Sequence, residues 1–137
     1  MSEVVSAEKW IYTVLANDAT LVSKTDGIYS ALVPAGETYP LVLFGENRTD
    51  NDLMALGARR IWSTMHYVVR AIDETKSYGG DLETIADRID AVLHAASGTT
   101  TAGTVWACVR TMPFRMVEQR DGRIFRHLGG IYQVRAI

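Results

Sequence analysis

The stretch from Arg59 to Ile72 constrains this chain more than any other. Its residues alternate as a strand does, with Ile61, Ser63, Met65, Tyr67, Val69 and Ala71 on one face and Trp62, Thr64, His66, Val68 and Arg70 on the other. A run of 14 residues far exceeds the common strand length of about five or six, and both faces carry large apolar groups. A sheet with one wet side alternates more cleanly. The strand therefore predicts that something covers both faces, either helices or a neighbouring subunit. Two helices are few for two faces of a wide sheet, which favours an oligomer.

Two helices can be read from apolar spacing. Ala7, Trp10, Ile11, Val14 and Leu15 recur on one face, with Ser6 as N-cap and Asn17-Asp18 at the end. Leu82, Ile85, Ala86, Ile89, Val92, Leu93 and Ala96 recur on another, after the turn Tyr78-Gly79-Gly80-Asp81, and Gly98 supplies the stop. Short strands are expected at Ile28–Ala31 and Leu41–Gly45, and the polar stretch Glu46–Gly57 reads as a long loop. Thr99–Thr104 reads as a small-residue loop without a core position. The remainder is β: Val105–Thr111, Phe114–Gln119 and Arg123–Ile137. Asp121-Gly122 between strand residues calls for a tight primed hairpin turn, and Gly129-Gly130 for a bulge or a close backbone approach. The expected class is α+β, a mostly antiparallel sheet of about six strands with two helices in the order α-β-β-β-α-β-β-β. Its 137 residues, 47% hydrophobic and 22% charged, suit a single domain spanning 1–137.

No constellation of reactive residues stands out. Cys108 is the only cysteine and lies in the apolar run Val105–Val109, so neither an internal disulfide nor a thiolate metal cluster can form. His66, His94 and His127 lack metal-ligand spacing and read as structural. The acidic residues Glu46, Asp50 and Asp52 lack the spacing of a calcium loop, and a solvated surface accounts for them. No metal, cofactor or catalytic residue is expected. The N-terminus lacks the pattern of a signal peptide and no segment is long and apolar enough to span a membrane, so an intracellular location is expected.

Charge distribution says more than the formal net charge of −2. Residues 1–104 hold eight basic against 14 acidic residues, whereas residues 105–137 hold six arginines against Glu118 and Asp121. Such a layout suits head-to-tail contact between identical copies, where opposite charges set the register. The arginines could equally be the solvated face of a hairpin. A nucleic-acid surface with Phe125 and Tyr132 as stacking rings is opposed by the acidic majority.

The succession of features resembles a known family. An amphipathic helix ends in Leu15-Ala16-Asn17-Asp18, then come Asp26-Gly27-Ile28-Tyr29, Tyr39-Pro40-Leu41-Val42-Leu43 and the long strand. Tyr78-Gly79-Gly80-Asp81 opens a helix ending in Val92-Leu93-His94, and Phe125–Arg135 closes the chain. Over nearly its whole length this resembles the tail-terminator (tail-completion) proteins of long-tailed bacteriophages. The resemblance implies a virion part without enzymatic activity, assembled in the host cytoplasm. Such a part forms a homo-oligomeric ring, commonly of six copies, on the head-proximal end of the tail tube. The ring stops tube polymerisation and docks to head-completion proteins, and DNA passes through its channel. By position, Glu46–Gly57 matches the loop that faces the channel or tube in relatives, which makes Asp50, Asp52, Arg59 and Arg60 expected ring or tube contacts. The charge split adds Arg123 and Arg126 to the expected contacts. The competing expectations are another head-tail connector, of head-closure or neck type, and a small dimeric ligand-binding α+β domain.

Overall fold

A computed structural model describes residues 3–137, except for the side chains of residues 48–50. Helix α1 (Glu3–Ala16) is followed by a short helix α2 (Ala19–Lys24), then strands β1 (Ile28–Ser30), β2 (Leu41–Met54) and β3 (Arg60–Glu74). Helix α3 (Asp81–Leu93) precedes β4 (Ala96–Thr100), β5 (Gly103–Arg120) and β6 (Arg123–Ala136). One six-stranded sheet has the order β1-β2-β3-β6-β5-β4, antiparallel throughout except for the β1–β2 pair. The α+β expectation holds, with α2 as an addition.

The helices cover one face of the sheet. Trp10, Ile11 and Leu15 of α1 and Leu82, Ile85, Ile89 and Leu93 of α3 are buried in one cluster with Met65, Tyr67, Val69 and Ala71 of β3. These are the apolar positions that the helical and strand periods single out. Asp18 does not end the helical region but caps α2, accepting a hydrogen bond from the Leu21 N–H at 3.1 Å. Its carboxylate also accepts from Arg88 of α3, at 2.9 Å from Nε and 2.5 Å from Nη2. The hydrogen bond from Arg88 holds the Asp18 carboxyl below the usual carboxylate range, against the burial that raises it.

That pair yields a prediction. Asp18→Asn keeps a capping oxygen and removes the charge, and should cost about 1–2 kcal/mol at pH 7, discounted for the exposure of Arg88. Because the folded-state pKa is lowered, the contribution is full above the unfolded carboxylate value and is lost as pH falls through the folded one. Urea unfolding at pH 7 and pH 3 checks this, and the gap between the two proteins should narrow at the lower pH.

Several local expectations are corrected. Ser6 is not the N-cap of α1. It lies inside the helix, buried, and its hydroxyl donates to the Ala102 carbonyl at 2.8 Å. That bond makes the turn after β4 part of the core, since Ala102 is buried too, so the loop expected at Thr99–Thr104 is largely sheet. Helix α3 has Gly80 at its cap position with no side-chain hydrogen bond, and Asp81 and Glu83 in its first turn complement the helix dipole instead. Gly98 stops no helix: it sits in β4, where an added Cβ would lie 2.7 Å from the Trp10 indole nitrogen.

Glu46–Gly57 is mostly not a loop. Its first nine residues continue β2 in register with β3, through three irregularities, and only the turn after Met54 is loop. The expected Val105–Thr111 and Phe114–Gln119 strands are one strand, β5, running through Pro113. Arg120 pairs with Arg123 across a two-residue turn in which Asp121 and Gly122 have φ of 52° and 76°, as the Asp-Gly signal requires. Gly129 and Gly130 lie in continuous register with Arg70 and Val69, so this is a close approach and not a β3–β6 bulge.

Candidate assembly surface

The six expected contact residues fall into two groups at opposite ends of the sheet. Asp52, Arg59 and Arg60 lie around the turn between β2 and β3. Arg123 and Arg126 lie at the other end of β3, where Asp73 and Glu74 pair with Arg126 and Phe125. The separation is the length of β3, about 45 Å at the rise of an extended strand. The Asp50 side chain lies outside the described residues.

The first group is tied into the hairpin. Asp52 accepts a short hydrogen bond from the Ser63 hydroxyl across the β2–β3 ladder. Arg60 Nε lies 2.8 Å from the Glu3 carboxylate and so joins β3 to the start of α1. Arg59 is exposed in the turn, beside the fully exposed Leu56. This end of the β2–β3 pair carries little of the core, which is why its sequence is polar enough to read as a loop.

The second group is built on an aromatic platform. Arg120 and Arg123 both stack over the buried Phe125 ring, at 4.8 Å and 5.1 Å from its centroid, and Tyr39 packs against the same ring at 4.8 Å. Arg123 also bonds Glu74 at 2.5 Å, and that hydrogen bond lowers the Glu74 pKa. Arg126 is half-buried over Tyr78, 4.9 Å from its centroid. These two arginines are therefore engaged within the chain: the Arg123 side chain stays half-exposed, whereas the Arg126 Nε is buried. Val33, Glu37, Tyr39, Arg120, Arg123 and Phe125 ring an open cavity of about 480 Å³ at this end.

The face opposite the helices is only partly bare. Val68 and Ile72 are buried there by the chain's own residues, and Leu41, Leu43, Ile72 and Phe125 form a second small core under Tyr29, Val33 and Tyr39. Arg70 lies over Phe114 at 5.5 Å and Arg135 over Trp62 at 5.6 Å, so cationic side chains cover apolar rings. A neighbouring subunit is thus not needed to explain the apolar residues on both faces of β3. The exposed apolar residues concentrate along β5 instead, at Val109, Met112, Met116 and Val117, with Leu53, Met54 and Leu56 at the β2 hairpin.

Residues with chemical potential elsewhere are held in structural roles. Cys108 is buried, and burial, helped by Asp90, pushes its thiol up to about 12, so the thiolate is scarce at neutral pH. Tyr132 is buried and donates to Asp90 at 2.9 Å; burial and that bond raise its pKa. With Phe125 and Tyr132 both buried, neither ring is available to stack on a base. His94 Nδ1 accepts the Arg110 N–H at 3.1 Å, and His127 is buried 3.2 Å from Glu118. Among the described residues no group of three or more His, Cys, Asp or Glu side chains is placed to hold a metal ion, and no helix is long and apolar enough to cross a membrane.

Comparison with known proteins gives one clear result. No protein-family model matches the chain, and no curated protein does. Among solved structures, a chain from the virion of a native gene transfer agent particle has the same fold, with a TM-score of 0.76 over 98% of this chain and 97% of that one. The two are 17% identical, so the likeness is one of fold.

Proposed function

We propose that this protein is a structural part of a virion, a non-enzymatic tail terminator. The observation that carries the proposal is the end-to-end agreement in fold with a chain of the gene transfer agent virion, in which neither chain has a large part left over. The resemblance read from the sequence points the same way. Copies of the chain, each a single domain, join into a ring, of six on the family's pattern, at the head-proximal end of a tail tube. The ring ends tube growth and presents its far side to a head-completion or connector protein. DNA passes through the channel without being read. Assembly takes place in the host cytoplasm.

The two groups of contact residues suit a part with a partner on each side. In this reading Asp50, Asp52, Arg59 and Arg60 mark one end of the long strands, and Arg123 and Arg126 the other. Native mass spectrometry across a wide concentration range, alone and with purified tail tubes, tests the reading. A closed oligomer that binds tube ends and stops their elongation is the expected result. Binding to the connector but not the tube would instead favour a head-closure or neck protein. A stable dimer carrying a small molecule would overturn the virion assignment.

A further inference from the structure

Besides the outer edges of the short terminal strands β1 and β4, two longer stretches of sheet edge lack a partner strand among the described residues. Strand β1 covers β2 only at residues 42–44, which leaves the outer edge of β2 from Glu46 to Met54 open. Strand β4 covers β5 only as far as Cys108, and the Arg110 N–H is taken by His94. The edge of β5 from Thr111 to Arg120 is open. Long open edges invite pairing with another chain, and proteins ordinarily keep them short, bulged or covered.

The backbone of β5 shows which groups face outward. The Cys108 carbonyl accepts from the Ala95 N–H and the Arg110 N–H donates to His94, so these two residues address the outer side. The irregularity between Arg110 and Met112 changes the parity, which makes Pro113, Arg115, Val117 and Gln119 the outward-facing residues beyond it. Counting back from the Arg120–Arg123 pair that closes the hairpin gives the same four. Pro113 thus falls where its missing N–H breaks no bond to β6.

We infer that, in the assembly proposed above, the free edge of β5 in one copy pairs with the free edge of β2 in the next, so that the sheets of neighbouring copies join into one. Opposite net charge on the two edges favours this pairing. The open β5 edge carries Arg115 and Arg120 against Glu118, and the open β2 edge carries Glu46, Asp50 and Asp52 against Arg48. Pairing two β5 edges across a twofold axis would instead set two edges of the same net sign against each other. Direction agrees as well. Strands β2 and β5 run antiparallel within the sheet, so rotation about an axis along the strands sets them antiparallel across the junction. A contact between two different edges is heterologous, the type that builds a ring when the rotation between copies closes. Exposed apolar residues flank both edges, Met112, Met116 and Val117 on one and Leu53 and Met54 on the other.

Hydrogen–deuterium exchange on the full-length protein, below and above its assembly concentration or with tail tubes added, tests the inference. Amides in 46–54 and 111–120 should both exchange at least about tenfold more slowly in the assembled form. Val117→Pro should raise the concentration needed for assembly roughly tenfold or more while the far-ultraviolet spectrum stays native, because it removes an outward N–H and no bond to β6. A closed oligomer in which both segments exchange as in the monomer overturns the edge pairing and leaves the proposed function standing. A protein that stays monomeric at every concentration and on tubes overturns both.

Discussion

Gly129→Ala should destabilise the protein severely, on the order of 3 kcal/mol or more, with a lower urea midpoint and an unchanged slope. An added Cβ would lie 2.0 Å from the Val69 carbonyl oxygen and 2.7 Å from the Arg70 Cα. Both are backbone atoms of β3, the strand facing β6, so no flexible side chain can turn aside. Relief requires β3 and β6 to part at the middle of the sheet, where Tyr67, Val69 and Tyr132 are buried. Gly45→Ala is the matched control. Its new Cβ would meet only Ala31 backbone atoms, at 3.7 Å and 3.9 Å, which is ordinary contact. A change under about 1 kcal/mol is expected there. Equal losses at the two positions would show that the close approach at Gly129 has no special cost.

The second large effect is in the helix layer. Leu93→Ala should cost about 2–5 kcal/mol, the range for truncating a buried leucine. Leu93 is buried in the cluster shared by α1, α3 and the sheet, although it is the last residue of its helix. The chain leaves α3 through His94 and through Ala95 at φ 62°, and goes directly into β4, so neighbouring backbone has little freedom to fill the void. Thermal or urea unfolding checks the value. A near-neutral result would place Leu93 outside the core.

What could be read in advance follows the reach of the signals. Periodicity reports which face of an element meets a core, and it placed Trp10, Ile11, Leu15, Ile85 and Ile89 correctly because a single layer covers each helix. It failed on Glu46–Met54 for the same reason. That part of β2 borders little of the core, so its residues carry no apolar period, and its extended form comes from hydrogen bonding to β3. The gap expected between Thr111 and Phe114 does not occur in β5, because Pro113 sits where its missing N–H breaks no bond to β6. Small residues misled at Ala96–Thr100, where Gly98 makes room for Trp10 and gives no apolar mark of a strand.

The candidate contact residues show the same division. Charge asymmetry between the two parts of the chain could be counted from the sequence, but it could not show that Arg123 and Arg126 are already engaged by Glu74 and Tyr78. Nor could it separate them from Arg59 and Arg60 by the length of a strand. A better signal was the pair of open edges, invisible without knowing which strands stop short of which.

By itself the sequence determined the α+β class, the long strand over Arg59–Ile72, the Asp121-Gly122 hairpin, the two main helices and the buried state of Cys108. These depend on local conformational preference and on the period of apolar residues, which are written along the chain. Only the tertiary structure decided the strand order, the addition of β4 and the merging of two expected strands into β5, the pairing of Asp18 with Arg88 and the positions of the free edges. Those depend on groups far apart in sequence meeting in space, and a hydrogen-bonding backbone carries no side-chain mark of the partner it will find.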